Sequence, residues 1–342
     1  MKNIIRYIRT GKNTSFYVKR LYSPLKICLF TIMRYLVTGG FGFIGSHLAE
    51  RLVNEGHDVT IIDNLSNGSS ENLLGVKNKI TPYIANVEQL RATHFTSKFD
   101  GIFHLATAPR SSSLLDPLRD IETNCKGMIA VLELAKSHGA KVVFTSNSGI
   151  YGSAKDKEPI TEIYPNNPTM PYDANKLVSE YYCKIYHKIY GVRCTVVRFA
   201  TVYGERQKVN EKLNWRPLVA TLVNNVMRRE EVIVNGDGKQ TRDLIYVQDA
   251  VQGLIKAMTS KVDDADIFLI STNTETSVIE VLNHVQNIVG EKARVKHSEP
   301  LPGDIRRMRY SYAKAKSAFS YEPEYSLQDG IKRMVNYANV PR

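Results

Sequence analysis

The sequence predicts an α/β fold: a Rossmann-type, doubly wound parallel sheet followed by a smaller mixed α/β part. Three observations carry this. From Arg34 onward, short β-branched runs alternate with longer amphipathic stretches, the rhythm of βαβ units in a parallel sheet covered on both faces. Runs such as Val142-Val143-Phe144 and Thr195-Val196-Val197 are apolar throughout, as strands buried on both sides are. A glycine-rich turn, Thr38-Gly39-Gly40-Phe41-Gly42-Phe43-Ile44-Gly45, stands where the first strand passes into the first helix.

The elements follow in order. Tyr35–Thr38 and Val59–Ile62 read as strands, with the amphipathic helix Ile44–Asn54 between them. Further strands are expected at Ile80–Ala85, Gly101–Leu105, Lys141–Thr145 and Cys194–Phe199, and helices at Pro117–Ser137 and Ala174–Tyr190. After Val202 the pattern loosens. Helices are expected at Trp215–Arg228, Asp249–Thr259, Ser277–Ile288 and Lys314–Phe319, separated by turns such as Asn235-Gly236-Asp237-Gly238 and Leu301-Pro302-Gly303-Asp304. The chain so divides into an extension over 1–33, a sheet domain over 34–200 and a looser part over 201–342, with no clean linker.

Composition bounds the function. The chain has 342 residues, 43% hydrophobic and 23% charged, which suits a globular protein and excludes wholesale disorder, collagen and coiled coil. No apolar run reaches the roughly 18–20 residues that span a bilayer, so no stable membrane insertion is expected. The net charge is +12. Residues 1–33 carry Lys2, Arg6, Arg9, Lys12, Lys19, Arg20 and Lys26 and no acid, leaving a body of about +5. That argues against a nucleic-acid partner and is compatible with an anionic substrate. Cys28, Cys125, Cys183 and Cys194 show no paired spacing and the histidines form no HExxH, so no metal site is expected and a reducing cytoplasm fits. The segment 1–33 has three readings: a flexible or loosely docked extension, a translation start at Met33, or a targeting or membrane-surface segment. Its apolar run, Ile27–Met33, is too short to span a membrane.

The glycine turn points to a dinucleotide. Its glycines permit a tight turn, close approach of backbone to a pyrophosphate and close packing of helix on strand, while the helix N-terminus offers free N–H groups. Gly39, Gly42, Phe43, Ile44 and Gly45 are the expected contacts. Asp63 ends the second strand, followed by Asn64. A carboxylate there bonds both ribose hydroxyls and repels a 2′-phosphate, which favours NAD over NADP. Asn86-Val87 follows the third strand, at the expected adenine edge, and Leu105-Ala106-Thr107 follows the fourth with small residues that leave room for a cofactor. Tyr172-Asp173-Ala174-Asn175-Lys176 then places a phenol and an ammonium on one helical face. A tyrosine of pKa near 10 is a poor base at neutral pH, and a neighbouring ammonium favours its phenolate. The same ammonium can hold the nicotinamide ribose.

Residues 34–335 resemble the extended short-chain dehydrogenase/reductase family, the NAD-dependent sugar-nucleotide epimerases and dehydratases. The resemblance is carried by Thr38–Gly45, Asp63-Asn64-Leu65-Ser66, Phe103-His104-Leu105-Ala106, Asn124, Ile150-Tyr151-Gly152, Tyr172 with Lys176, Arg198–Gln207 and Gly236-Asp237-Gly238-Lys239-Gln240-Thr241-Arg242-Asp243. It implies NAD as cofactor and a nucleotide sugar as substrate, with Asn124 and Ala200 beside the cofactor and Thr201 and Arg242 beside the substrate. It also implies the chemistry: the tyrosine takes the sugar's C4 hydroxyl proton, the C4 hydride moves to NAD, and an epimerase returns the hydride to the other face of the keto sugar.

Four departures refine the expectation. Similar enzymes carry a serine or threonine relay where this chain has Asn147, whose amide can bond the sugar hydroxyl but cannot shuttle a proton in the same way, which leaves Ser146, Ser148 or Tyr172 acting directly as the alternatives. Dehydratases and glucuronate decarboxylases carry acids where this chain has Ser148 and Gly149, which favours plain 4-epimerisation of the UDP-glucose/UDP-galactose type. Leu301 stands where a second phosphate arginine is usual, leaving Arg306 or Arg307 as substitutes, and Thr201 replaces a common substrate-binding asparagine. The alternatives are a dehydratase or reductase acting on a nucleotide sugar, and a catalytically weak NAD-binding protein with a structural or regulatory role. A homodimer through Pro117–Ser137 and Ala174–Tyr190 is expected by the same resemblance.

Overall fold

Strands buried on both faces need two hydrophobic neighbours, and the central strands divide their side chains between two. A computed structural model describes residues 31–154, 158–210, 216–300 and 306–340, with the backbone of 17–19 and 29–30. Strands β1 (Tyr17–Lys19) and β2 (Leu29–Thr31) form a separate antiparallel pair. The rest of the basic extension lies outside the described residues. The first βαβ units run β3 (Arg34–Thr38), α1 (Phe43–Asn54), β4 (Asp58–Asp63), β5 (Ile80–Ile84) and β6 (Gly101–His104). Then follow α2 (Pro117–Ile121), α3 (Gly127–His138), β7 (Lys141–Asn147), α4 (Pro171–Tyr190), β8 (Cys194–Phe199) and β9 (Thr201–Tyr203). The later part holds α5 (Leu218–Met227), β10 (Val232–Asn235), β11 (Thr241–Arg242), β12 (Leu244–Tyr246), α6 (Val247–Thr259) and β13 (Asp264–Ile270). It ends with β14 (Thr276–Ser277), α7 (Val278–Val289), β15 (Val295–Ser298), α8 (Ala313–Phe319) and α9 (Leu327–Ala338).

Seven strands form one parallel sheet in the order β13-β8-β7-β6-β3-β4-β5. Val37, Phe103, Val143 and Val197 point to one face, under Leu48 and Leu52 of α1 and Leu254 and Ala257 of α6. Their chain neighbours Leu36, Ile102, Val142 and Val196 point to the other, under Met128, Val131 and Leu132 of α3 and Cys183 of α4. The strand order reverses between β3 and β6, and the carboxyl ends of those two strands open the crevice where open α/β sheets bind ligands.

A smaller cluster joins α5, α7 and α9 through Leu222, Val223, Val281, Val285, Ile331 and Val335. Two features of this half differ from the expectation. Strand β13 extends the main sheet beside β8, and α6 packs on that sheet too, so residues 247–270 cross back over the expected boundary at 200. Helix α9 went unread because Gly330 interrupts its pattern, and glycine is a poor helix former. The glycine serves packing: a Cβ there would lie 2.2 Å from the Tyr203 hydroxyl oxygen. The expected helix Pro117–Ser137 is present but carries one π-turn, Glu122–Lys126, between α2 and α3. Among the described residues no helix is long and apolar enough to cross a membrane.

The helix that carries Tyr172 and Lys176 is tied to the sheet by charge. Glu180 of α4 receives Arg198 of β8 through both oxygens, Nε to Oε1 at 2.8 Å and a terminal nitrogen to Oε2 at 2.5 Å, and both side chains are buried. Ser146 donates to the same carboxylate at 2.6 Å, and the guanidinium lies 4.7 Å from the Tyr151 ring centre. Glu180→Ala strands a buried guanidinium and should cost about 3–5 kcal/mol of stability. Chemical denaturation measures this, and an unchanged midpoint would show the pair to be dispensable.

Candidate active site

The glycine turn is built around contacts that no side chain could share. Gly39, at φ +70°, has no room for a Cβ, which would lie 2.8 Å from the Ala106 nitrogen. A Cβ on Gly45 would meet the Gly39 carbonyl oxygen at 2.1 Å, so α1 packs directly on the end of β3. Gly42 caps α1 with no side chain above it. The first N–H groups of the helix, on Phe43, Ile44 and Gly45, lack intrahelical acceptors and carry the positive end of the helix dipole. The turn is thus a ready cradle for a pyrophosphate.

Asp63 closes the turn from the side. Its carboxylate accepts the N–H groups of Phe41 at 3.0 Å and Leu65 at 2.8 Å. Burial pushes its pKa up and those backbone donors hold it down. Asn64 donates to Asn86 at 2.8 Å, linking the ends of β4 and β5. Asn64 and Val87 line the crevice, whereas Asn86 does not and acts here through Asn64.

One cleft of about 1370 Å³ runs from this turn across to the later half of the chain. Gly39, Gly42, Phe43, Ile44, Gly45 and Asp63 line one end, and Leu105, Ala106, Thr107 and Ala200 line its middle. Tyr172 and Lys176 meet them there from the first turns of α4, where Pro171 starts the helix. Lys176 is buried, donates to the Thr145 carbonyl at 3.1 Å and lies 5.6 Å from the Tyr172 ring centre. Burial lowers its pKa to about 8. Burial raises that of Tyr172 to about 12, against the pull of the Thr107 hydroxyl and the Arg110 cation. Asn124 is buried behind the wall rather than in the cleft. It accepts from Thr107 at 2.7 Å and donates to Asp120 at 2.8 Å, so it props the threonine that touches Tyr172. The π-turn carries it there, as such turns often do near functional sites.

Asn147, at the relay position, and the serines on either side of it part company. Ser146 spends its hydroxyl on Glu180 in the core. Ser148 is buried against the Tyr310 phenol. Asn147 donates from Nδ2 to Asp173 at 2.7 Å. Asp173 in turn holds Arg110 through both oxygens, at 2.9 and 2.8 Å. Sequence reasoning missed Arg110 and Asp173. The signal was available: an acid inside the Tyr-x-x-x-Lys motif and a cation in an otherwise small-residue loop.

The far end of the cleft is lined by Thr201, Arg242, Lys208 and Arg216. Arg306, expected beside the substrate, stands outside the cleft and pairs with Asp237 at 2.7 and 2.9 Å. Arg307 likewise holds Glu275. Neighbouring acids have captured both arginines, a competition that spacing does not reveal. Leu301 lies outside the described residues.

A model of the NAD dependent epimerase/dehydratase family matches residues 35–271. The chain belongs to that family. This family member is 32% identical over 311 residues to the UDP-glucose 4-epimerase of Mycolicibacterium smegmatis, covering 89% of this chain and 98% of the relative. It is 31% identical to UDP-glucuronic acid decarboxylase 1 of Arabidopsis thaliana, over 89% of this chain and 69% of that one. Its structure resembles that of the UDP-glucose 4-epimerase of Thermotoga maritima with a TM-score of 0.84 at 34% identity, covering 90% and 98% of the two chains. It is thus an NAD-dependent enzyme of the epimerase/dehydratase type. The cradle of this structure fits NAD, because the space a Cβ would fill at Gly39 and Gly45 is already taken by backbone and only the open helix end faces the cleft.

Asp63→Ala should weaken NAD binding and abolish discrimination against NADP. Titration of both cofactors against wild type and variant reads this, and equal wild-type affinity for the two would remove Asp63 from the selectivity.

Proposed function

We propose that the protein is a nucleotide-sugar 4-epimerase with UDP-glucose and UDP-galactose as its pair. The observation that carries this reading is the chemistry around Tyr172. Elimination or decarboxylation is favoured by a further acid at the sugar. The positions where relatives of those types hold one are Ser148 and Gly149, and the carboxylate next to Tyr172, that of Asp173, is taken up by Arg110 and Asn147. The relatives named as UDP-glucose 4-epimerases add support. Those named as UDP-glucuronic acid decarboxylases keep a uronate-processing enzyme as the second reading.

In this reading Gly39, Gly42 and the first turn of α1 bind the pyrophosphate of NAD, and Asp63 its adenosine ribose. When bound, NAD supplies the acceptor for the C4 hydride and gives it back. Tyr172 takes the proton of the C4 hydroxyl and later returns it. Its burial works against the phenolate; the cation that favours the phenolate in the free protein is Arg110, and we assign the same role to the Lys176 ammonium, on the same helical face 5.6 Å from the ring centre. Lys176 serves this role while protonated, below about 8, so turnover should fall as pH rises through that value. Arg242 answers the charge of the substrate pyrophosphate. Thr201, Lys208 and Arg216 stand along the same wall.

Tyr172→Phe keeps the ring and deletes the proton acceptor. Turnover should fall by about 10²–10⁴-fold with NAD still bound. Incubation of wild type with UDP-glucose should yield UDP-galactose, with UDP-glucuronate, UDP-GlcNAc and GDP-mannose as competitors for the assignment. Release of carbon dioxide from UDP-glucuronate, without UDP-galactose formation, would replace this reading by the second.

We also propose a homodimer through α2 and α4. Val178, Tyr181, Ile185 and Ile189 form one exposed stripe along α4, and Leu118 and Ile121 of α2 stand exposed beside it. Ile185→Glu should convert the dimer to monomer in light scattering, and a wild type already monomeric would exclude this interface.

A further inference from the structure

The exchange of a relay hydroxyl for Asn147 does not stand alone. Asn147 ends β7, Asp173 sits in the first turn of α4 beside Tyr172, and Arg110 follows β6. Three separate elements thus converge on one carboxylate, which is buried, while Arg110 is about one-third exposed to the cleft. A carboxylate that grips a guanidinium through both oxygens can only accept hydrogen bonds, so the Asn147 amide must face it with its NH2 group. Gly149 supplies the space. A Cβ there would lie 2.6 Å from Oδ1 of Asp173 and 2.9 Å from Nδ2 of Asn147, so any other residue would break the bridge. The remaining polar atom of the amide, Oδ1, is buried and has no partner among the described residues. A buried acceptor without a donor is costly, and this one belongs to a residue that lines the cleft.

We infer that Arg110 and Asp173 are positioning residues which lock Asn147 with its NH2 turned onto Asp173, leaving only the amide oxygen for a sugar hydroxyl. The inference rests on the epimerase reading above and deepens it. A serine or threonine hydroxyl can accept a proton from the sugar and donate one to the tyrosine. A locked amide can do neither. Its oxygen can only accept, so it takes a hydrogen bond from a sugar hydroxyl next to the reacting one, and the reacting hydroxyl keeps its own proton until Tyr172 takes it directly. An unlocked amide could turn its NH2 to the sugar, lose that acceptor, and let the sugar ring shift away from the phenol. Arg110 acts one step further back, because without it Asp173 is a lone buried charge.

The test is a double-substitution cycle in the full-length, NAD-loaded protein. Asp173→Asn should lower kcat about tenfold while KM and NAD content stay near wild type, and should change kcat less than about twofold when Asn147 is already alanine. Arg110→Gln should behave in the same way and serves if Asp173→Asn fails to fold. Equal losses in both backgrounds, or a kcat untouched by either substitution, would overturn the positioning role. A second measurement needs no turnover. In protein labelled with ¹⁵N-asparagine, the side-chain amide of Asn147, assigned by its loss in Asn147→Ser, should be protected from exchange and should lose that protection in Asp173→Asn. Free exchange in wild type would overturn the lock itself. If wild type turns over no nucleotide sugar, the epimerase reading fails, and the amide signal still decides whether the lock exists.

Discussion

The contact between Gly45 and the Gly39 carbonyl is the constraint on which the site depends. A helix that approaches a strand end so closely leaves no gap for a side chain and aims its free N–H groups into the crevice between β3 and β6. Everything else in the cleft is arranged around that fixed point. Asp63 is held by backbone N–H groups of the same turn and of its own strand end, and Ala106 closes against Gly39. The cofactor end is thus specified by backbone geometry, which tolerates little change.

The chemical end is specified differently, by buried charge. α4 bears Tyr172 and Lys176, and its place on the sheet depends on Glu180 meeting Arg198 in the buried interior. A second pair, Arg110 with Asp173, sits about two helical turns away at the wall of the cleft. Such pairs contribute little net stability compared with apolar packing, but each here is bidentate, which fixes the orientation of both partners. Orientation of a phenol and an amide within a cleft is where such selectivity is useful. Ser146 also lines the cleft, but its hydroxyl donates to Glu180 in the core, which makes the environment of Asn147 decisive.

The parallel sheet, its switch point, the glycine turn, Asp63 and the Tyr172/Lys176 pair were legible in the sequence because each follows from local pattern: apolar runs, a turn that only glycine can make, an i, i+4 spacing. Patterns failed where packing overrode them. Gly330 hid α9 because its missing side chain makes room for Tyr203, and strand β13 was obscured by the polar opening Asp264-Ala265-Asp266, where its register with β8 shifts.

The fold class, the glycine cradle and the placing of Tyr172 and Lys176 on one helical face rest on residue types at short, fixed separations, which is why a linear chain displays them. Which side chains are left to act depends on how distant elements pack. Arg306 is drawn to Asp237 and Arg307 to Glu275, Ser146 is drawn to Glu180, and Asn147 is turned onto Asp173 by an arginine 63 residues away from that carboxylate. A hydrogen-bonding group is defined by the partner that wins it, and that competition is settled between elements far apart in the chain, where no spacing rule reaches.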